Sequence, residues 1–156
     1  MGIVKRRKTG PEKTRAGDDL TRAEGLGRNC GIARITVSEF AESQASSASQ
    51  RMAEEGRLVA SALPAKAFGV VLDERGKALA SEDFAQLLNR HLAAGTPDLA
   101  FLIGGPDGHA PEIRAGAGLT MSFGPMTWPH RLVRVMLFEQ LYRAVTIIAG
   151  HPYHRA

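Results

Sequence analysis

FLIGGPDG, Phe101 to Gly108, is the stretch on which the fold turns. A short apolar run closed by two glycines, a proline, an aspartate and a further glycine reads as a buried strand ending in a tight turn. The strand begins at Leu99, just after the breakers Gly95 and Pro97. In open α/β sheets, ligands sit outside the carboxyl ends of such strands. Glycines at that edge let backbone amides come close to a ligand, which a Cβ would prevent. The spacing is neither G-x-G-x-x-G nor G-x-x-x-x-G-K, so neither a dinucleotide nor a nucleoside triphosphate is indicated. A simple tight turn without a ligand fits the same residues.

Similar units stand on either side. Upstream, FGVVL (Phe68 to Leu72) is a second buried strand, closed by Asp73-Glu74-Arg75-Gly76. Ser81 is placed to cap a following helix, with Glu82 and Asp83 in the first turn, where the helix dipole favours negative charge. Phe84, Leu87, Leu88, His91 and Leu92 then recur at the spacing of one helix face. Downstream, Leu119 to Phe123 is a shorter candidate strand, and Gly124 to Pro129 follows as a third loop. Pro129 suits the first turn of a last helix that ends at Gly150 and Pro152. Strands alternating with helices indicate an α/β fold with a largely parallel sheet. If the strands are neighbours, the three loops meet at one sheet edge and form a pocket.

The last helix is apolar around most of its circumference, from Leu132 through Ile148, so it requires cover on nearly all sides. A domain this small cannot supply that cover alone, which implies a helix shared with a second subunit. Arg134, Glu139, Gln140 and Arg143 interrupt the segment and argue against a membrane span. Arg143 requires a surface, a carboxylate or a substrate to offset its charge. The polar stretch Ala41 to Leu63, ending at Pro64, reads as a surface helix, and Ile32 to Phe40 as a short strand. Residues 1–31 lack period and read as irregular.

The chain has 156 residues, enough for one domain with a real core. No secretory signal is recognisable in MGIVKRRKTG, and the single Cys30 excludes an internal disulfide, which fits a reducing cytosol and a cytoplasmic protein. The net charge of +4 is uneven. Residues 1–34 hold nine Lys/Arg against four Asp/Glu and residues 130–156 hold four against one, while 35–129 hold seven against eleven. Basic ends suit a polyanionic partner when they share a face, although ordinary surface charge gives the same count. The tail HPYHRA carries His151, Tyr153, His154 and Arg155. Two histidines without further ligands do not make a metal site. Rings interleaved with cations suit an extruded base and its phosphates. His130 fits either a general base or a structural donor at the helix start. No Ser-His-Asp or Cys-His arrangement supports hydrolysis.

These strings occur together and in order: IGG-PDG, TWPH, LVRV, EQLYRA and HPYHR. From Phe68 to Arg155, and more weakly through KTGPE (Lys8 to Glu12), the chain resembles the RlmH family within the SPOUT methyltransferases. These enzymes methylate N3 of a pseudouridine in ribosomal large-subunit RNA. The resemblance implies one SPOUT-type domain over 1–156, with a cofactor-binding region at 68–156 threaded into a C-terminal trefoil knot. It also implies a homodimer, S-adenosylmethionine as cofactor, and 23S rRNA in the large subunit or assembled ribosome as partner, with no metal. Leu72, Gly105 and Gly124, Pro125, Met126, Thr127, Trp128, Pro129 would hold the cofactor. His130, Arg143, Tyr153, His154 and Arg155 would build the RNA-side active site: Arg143, Arg155 or a histidine steadies the N3 anion, and His154 or His130 accepts the proton. Family members usually begin with a hydrophobic strand, and the charged start here points to a first strand that is absent or frayed. Two alternatives stay open: a non-catalytic RNA- or ribosome-binding α/β dimer, and a SPOUT methyltransferase with another RNA target.

Overall fold

The computed structural model describes residues 2–7 as backbone and residues 34–152. The two buried runs become β3 (Phe68–Ala78) and β4 (Leu99–Ile103). They pair in parallel, Phe68 with Leu99 through Leu72 with Ile103. β5 (Leu119–Ser122) joins the other side of β3, also in parallel. β1 (Gly2–Arg7) lies antiparallel between β4 and the edge strand β2 (Arg34–Glu39), giving the sheet order β2-β1-β4-β3-β5.

The helices are α1 (Ala48–Ala62), α2 (Ser81–Ala93), α3 (Pro111–Ala115) and α4 (His130–Ile148). Because side chains alternate across a strand, β3 and β4 feed two cores. Val70, Leu72, Leu99, Phe101 and Ile103 pack with Phe84 and Leu88 of α2 and Leu137, Leu141 and Ala144 of α4. Val71, Ala100 and Leu102 point the other way and pack with Val59 of α1. Helices on both faces explain why these strands read as unbroken apolar runs.

The N-terminus corrects the sequence reading. Residues 2–7 form a strand with neighbours on both sides, neither irregular nor absent. Ladders from two distant segments satisfy its backbone, and such non-local pairing overrides a charged local composition. Ser81 is also not the cap. Ala80 takes that position without a side-chain bond, and the Ser81 hydroxyl donates to Gln140 Oε1 at 2.9 Å, tying α2 to α4. The polar helix begins later than Ala41, at Ala48, where the Ser47 side chain accepts from the Gln50 amide.

β3 does not stop at Leu72. Met121 of β5 is level with both Leu72 and Lys77, so Asp73 to Gly76 bulge out of the ladder before pairing resumes. At Gly76 an added Cβ would stand 2.6 to 2.8 Å from the Met121 backbone, so the chain can return to β5 only through a glycine. The last helix keeps an apolar outer surface, with Leu132 41% and Val135 53% exposed. Among the described residues no helix is long and apolar enough to cross a membrane.

Candidate functional site

Leu72 is level with Ile103 on one side and Met121 on the other. The three parallel strands therefore release their loops from one edge, as the sequence required of a pocket. Between the loops lies a cavity of about 900 Å³. That size is at the upper end of the roughly 300–1,000 Å³ typical of small-molecule sites.

The second loop is a tight turn. The Gly108 amide donates to the Gly105 carbonyl at 3.0 Å, and Gly108 has φ +83°. A Cβ at Gly105 would stand 2.9 Å from Glu55 Oε2, so a bare backbone is what lets the turn lie against α1. Glu55 is only 4% exposed, and its Oε1 accepts from the Ser43 amide at 3.1 Å. Arg51, one turn earlier on α1, grips Asp107 with two parallel bonds, Nε to Oδ2 at 2.7 Å and Nη2 to Oδ1 at 3.0 Å. That hydrogen bond holds the Asp107 carboxyl below its ordinary value and the guanidinium above its own.

The first and third loops are laced together. The buried Ser122 hydroxyl donates to the carbonyls of Glu74 (3.2 Å) and Gly124 (2.7 Å) and accepts from the Gly124 amide at 2.9 Å. A single proton serves two acceptors there, one at a time or shared. Thr127 Oγ1 donates to Glu74 Oε2 at 2.7 Å, closing the rim. Asp73 Oδ1 accepts from the Arg75 amide, and Asp73 Oδ2 lies 3.5 Å from Arg114.

The cavity gathers Leu72, Gly105, Gly124, Met126, Thr127, Trp128, Pro129 and His130. Pro125, within the same loop, does not line it, and neither does Arg143. Arg143 donates to Glu139 Oε1 at 2.5 Å across one turn of α4, the carboxylate partner its charge required. Tyr153, His154 and Arg155 lie outside the described residues. Sequence reasoning missed Arg51, Glu55 and His109. Arg51 and Asp107 are 56 positions apart, and no local pattern announces the pairing. Pro111 was an available signal for the short helix after His109, since proline favours the first helical turn.

Among the described residues no cluster of three or more His, Cys, Asp or Glu could hold a metal ion. The cavity instead suits an organic ligand of mixed polarity. Glycines of the loops and the charged Asp73, Glu74 and Arg75 line it together with the apolar Leu72, Ile103 and Met121. S-adenosylmethionine fits that character: an adenine ring for the apolar floor, and hydroxyl, ammonium and carboxylate groups for the loop backbone.

Known proteins resemble the chain over nearly its whole length. The family described as "Predicted SPOUT methyltransferase" matches residues 10–154. A protein of Rhodopseudomonas palustris named ribosomal RNA large subunit methyltransferase H is 51% identical over 149 residues, covering 96% of this chain and 93% of its own. Proteins of the same name from Bradyrhizobium diazoefficiens and Xanthobacter autotrophicus are each 48% identical, covering 98% and 100% of this chain and 96% and 98% of their own. With its three-loop cavity on a parallel β-sheet edge, the chain belongs to the SPOUT methyltransferase family.

Proposed function

We propose that the chain methylates N3 of a pseudouridine in 23S rRNA, on the large subunit or the assembled ribosome, with S-adenosylmethionine as methyl donor. The observation that carries this reading is the cavity formed by three loops level in register, in a chain about half identical to relatives named large-subunit rRNA methyltransferases. The reading includes a trefoil knot through residues 68–156, a homodimer and a cytoplasmic setting.

When bound, S-adenosylmethionine supplies an electrophilic methyl group on a sulfonium. Gly105 and the loop from Gly124 to Pro129 hold the cofactor, and Leu72 packs against it from the floor. Aligning the two reacting atoms can contribute roughly 7–11 kcal/mol to such an in-line displacement. N3 must lose its proton as the N3–C bond forms. His130, in the cavity wall, and His154 are the candidate acceptors. Arg155, and Arg143 contributed across the dimer, are the cations that would steady the developing anion, and Tyr153 would give the base a ring to stack on. The exposed apolar side chains of Met126 (65%), Trp128 (37%), Leu132 and Val135 support the dimer, since a second copy would cover them.

Mass spectrometry of 23S rRNA from a deletion strain tests the whole reading: one pseudouridine should lose 14 mass units (the mass of a CH₂ group) and regain them on complementation. An unchanged spectrum refutes the target, and a shift at another nucleotide favours the alternative of a different RNA. Arg155→Ala should leave cofactor binding nearly intact while greatly reducing methylation. Full activity in that variant removes the tail from the mechanism.

A further inference from the structure

Among the described residues, the one buried side-chain nitrogen or oxygen without a hydrogen-bond partner is His109 Nε2. His109 is 4% exposed, yet it belongs to the wall of the cavity. It follows the turn Gly105 to Gly108 directly and precedes α3. The backbone of Leu72 and of Leu102 lies beside the ring, so the imidazole spans the ends of β3 and β4 under two of the three loops. Its Cδ2 and Nε2 are 3.2 Å from where a Cβ on Gly104 would stand. The ring thus fills the space beside Gly104 and supports the start of the glycine turn from below.

Two charged groups face the ring and oppose each other. Asp73, from β3, favours a proton on it, as do the backbone groups of Leu102 and Leu72, and Arg114, from α3, disfavours one. On the α1 side the nearest carboxylate, Glu55, stands against Gly105 rather than the ring. Burial outweighs all of these and holds the imidazole below its ordinary value of 6.5. A proton added to the ring would bring a charge and a further N–H donor into a buried space where Nε2 has no hydrogen-bond partner.

We propose that His109 is a positioning residue for the cofactor: its neutral ring braces Gly104 and the β3 backbone at Leu72, and gaining a proton there releases the glycine turn and weakens cofactor binding. This rests on the reading of the cavity as a S-adenosylmethionine site. The sign follows from linkage. A released ring takes its proton near pH 6.5, and the packed ring only at lower pH. The packed turn is therefore fully favoured above about pH 6.5 and loses ground as the pH falls below it.

Calorimetry of S-adenosylmethionine binding to the full chain between pH 8 and pH 5 tests this, using the wild type, His109→Leu, His109→Gln and His130→Gln. The wild type should lose affinity as the pH falls from 6.5 toward and through the lowered value of the packed ring, by at most about tenfold per pH unit for one linked proton. Both His109 variants should flatten that acid limb, and His130→Gln, whose ring also faces the cavity, should keep it. A wild type with flat affinity, an acid limb unchanged in the His109 variants, or a limb that disappears with His130 overturns the proposal. If His109→Leu does not fold, His109→Gln decides alone. A wild type that binds no S-adenosylmethionine at any pH refutes the proposed function instead. The melting temperature of the unliganded chain then decides for His109: a shallower acid slope in His109→Gln supports the brace, and an unchanged slope overturns it.

Discussion

Arg51 and Asp107, 56 residues apart, meet as fork and carboxylate, with both nitrogen–oxygen distances at or under 3.0 Å. The pair anchors the glycine turn to α1, the helix on the far side of the sheet from α2 and α4. Arg51 Nη1 also donates to the Ala45 carbonyl at 3.0 Å, so one guanidinium holds both the turn and the segment leading into α1.

A lysine cannot reproduce a planar two-pronged contact. Arg51→Lys should weaken S-adenosylmethionine binding roughly tenfold, short of the ~100-fold expected of a full ångström misplacement. The melting temperature should change little, because both groups are solvent-accessible and exposed ion pairs contribute modestly. Calorimetry and thermal melting on the same preparation check the two halves. Equal affinity would mean that the turn holds its shape unaided. Since Asp107 titrates below its ordinary value, the pair's contribution is fully present above that value and fades only as the pH falls through the lowered one.

Gly76→Ala should destabilise the chain by about 1–3 kcal/mol, the usual cost of forcing atoms into filled space. The obstacle is the backbone of Met121, which cannot swing aside as a side-chain tip can. For a chain of this length the melting temperature should fall by roughly 2–10 °C. A variant that melts with the wild type would show that the bulge has another route back to β5.

Ser122→Ala removes a hydroxyl that bonds the Glu74 carbonyl, the Gly124 carbonyl and the Gly124 amide. Ser122 is 6% exposed, so water cannot readily replace it. A loss of about 1–3 kcal/mol is expected in denaturant unfolding. Faster amide hydrogen exchange should be confined to the Asp73–Gly76 bulge of β3 and the loop after β5, and uniform exchange would count against this lacing.

Val135→Glu places a charge on the exposed apolar side of α4, where Val135 is 53% and Leu132 41% exposed. It should turn a dimer into a monomer in size-exclusion chromatography with light scattering, without disturbing the core around Leu137 and Leu141. A variant that still elutes as a dimer would place the subunit contact elsewhere.

How much of this was legible in the sequence depended on the range of the forces involved. β4 and α4 were readable to within a residue or so, because apolar runs, Gly95, Pro129 and Gly150 mark their own ends. The pocket's glycines were readable too, since a strand followed by a glycine turn carries its own geometry. β1 was not, because its stability comes from ladders to residues 34–39 and 100–103 rather than from its own composition. Ser81 was misread as a cap because its hydroxyl finds Gln140, 59 positions away, which no local rule weighs. Arg51, Glu55 and His109 stayed hidden for the same reason. Each acts on the glycine turn from another element or from beneath it.

The return of β3 to β5 after its excursion has a consequence for the ways this chain can vary. Met121 faces Leu72 before the detour and Lys77 after it, so both ends of the loop are tied to a single partner residue. At the return, Gly76 must meet the Met121 backbone without a Cβ, and one residue added or removed ahead of it would bring a side chain into that contact. The number of residues 73–75 is therefore held, and Asp73 and Glu74 are further tied to Arg114 and Thr127. A cavity-lining loop of this kind can be retuned at Arg75, while its length is held by the glycine through which it rejoins the ladder.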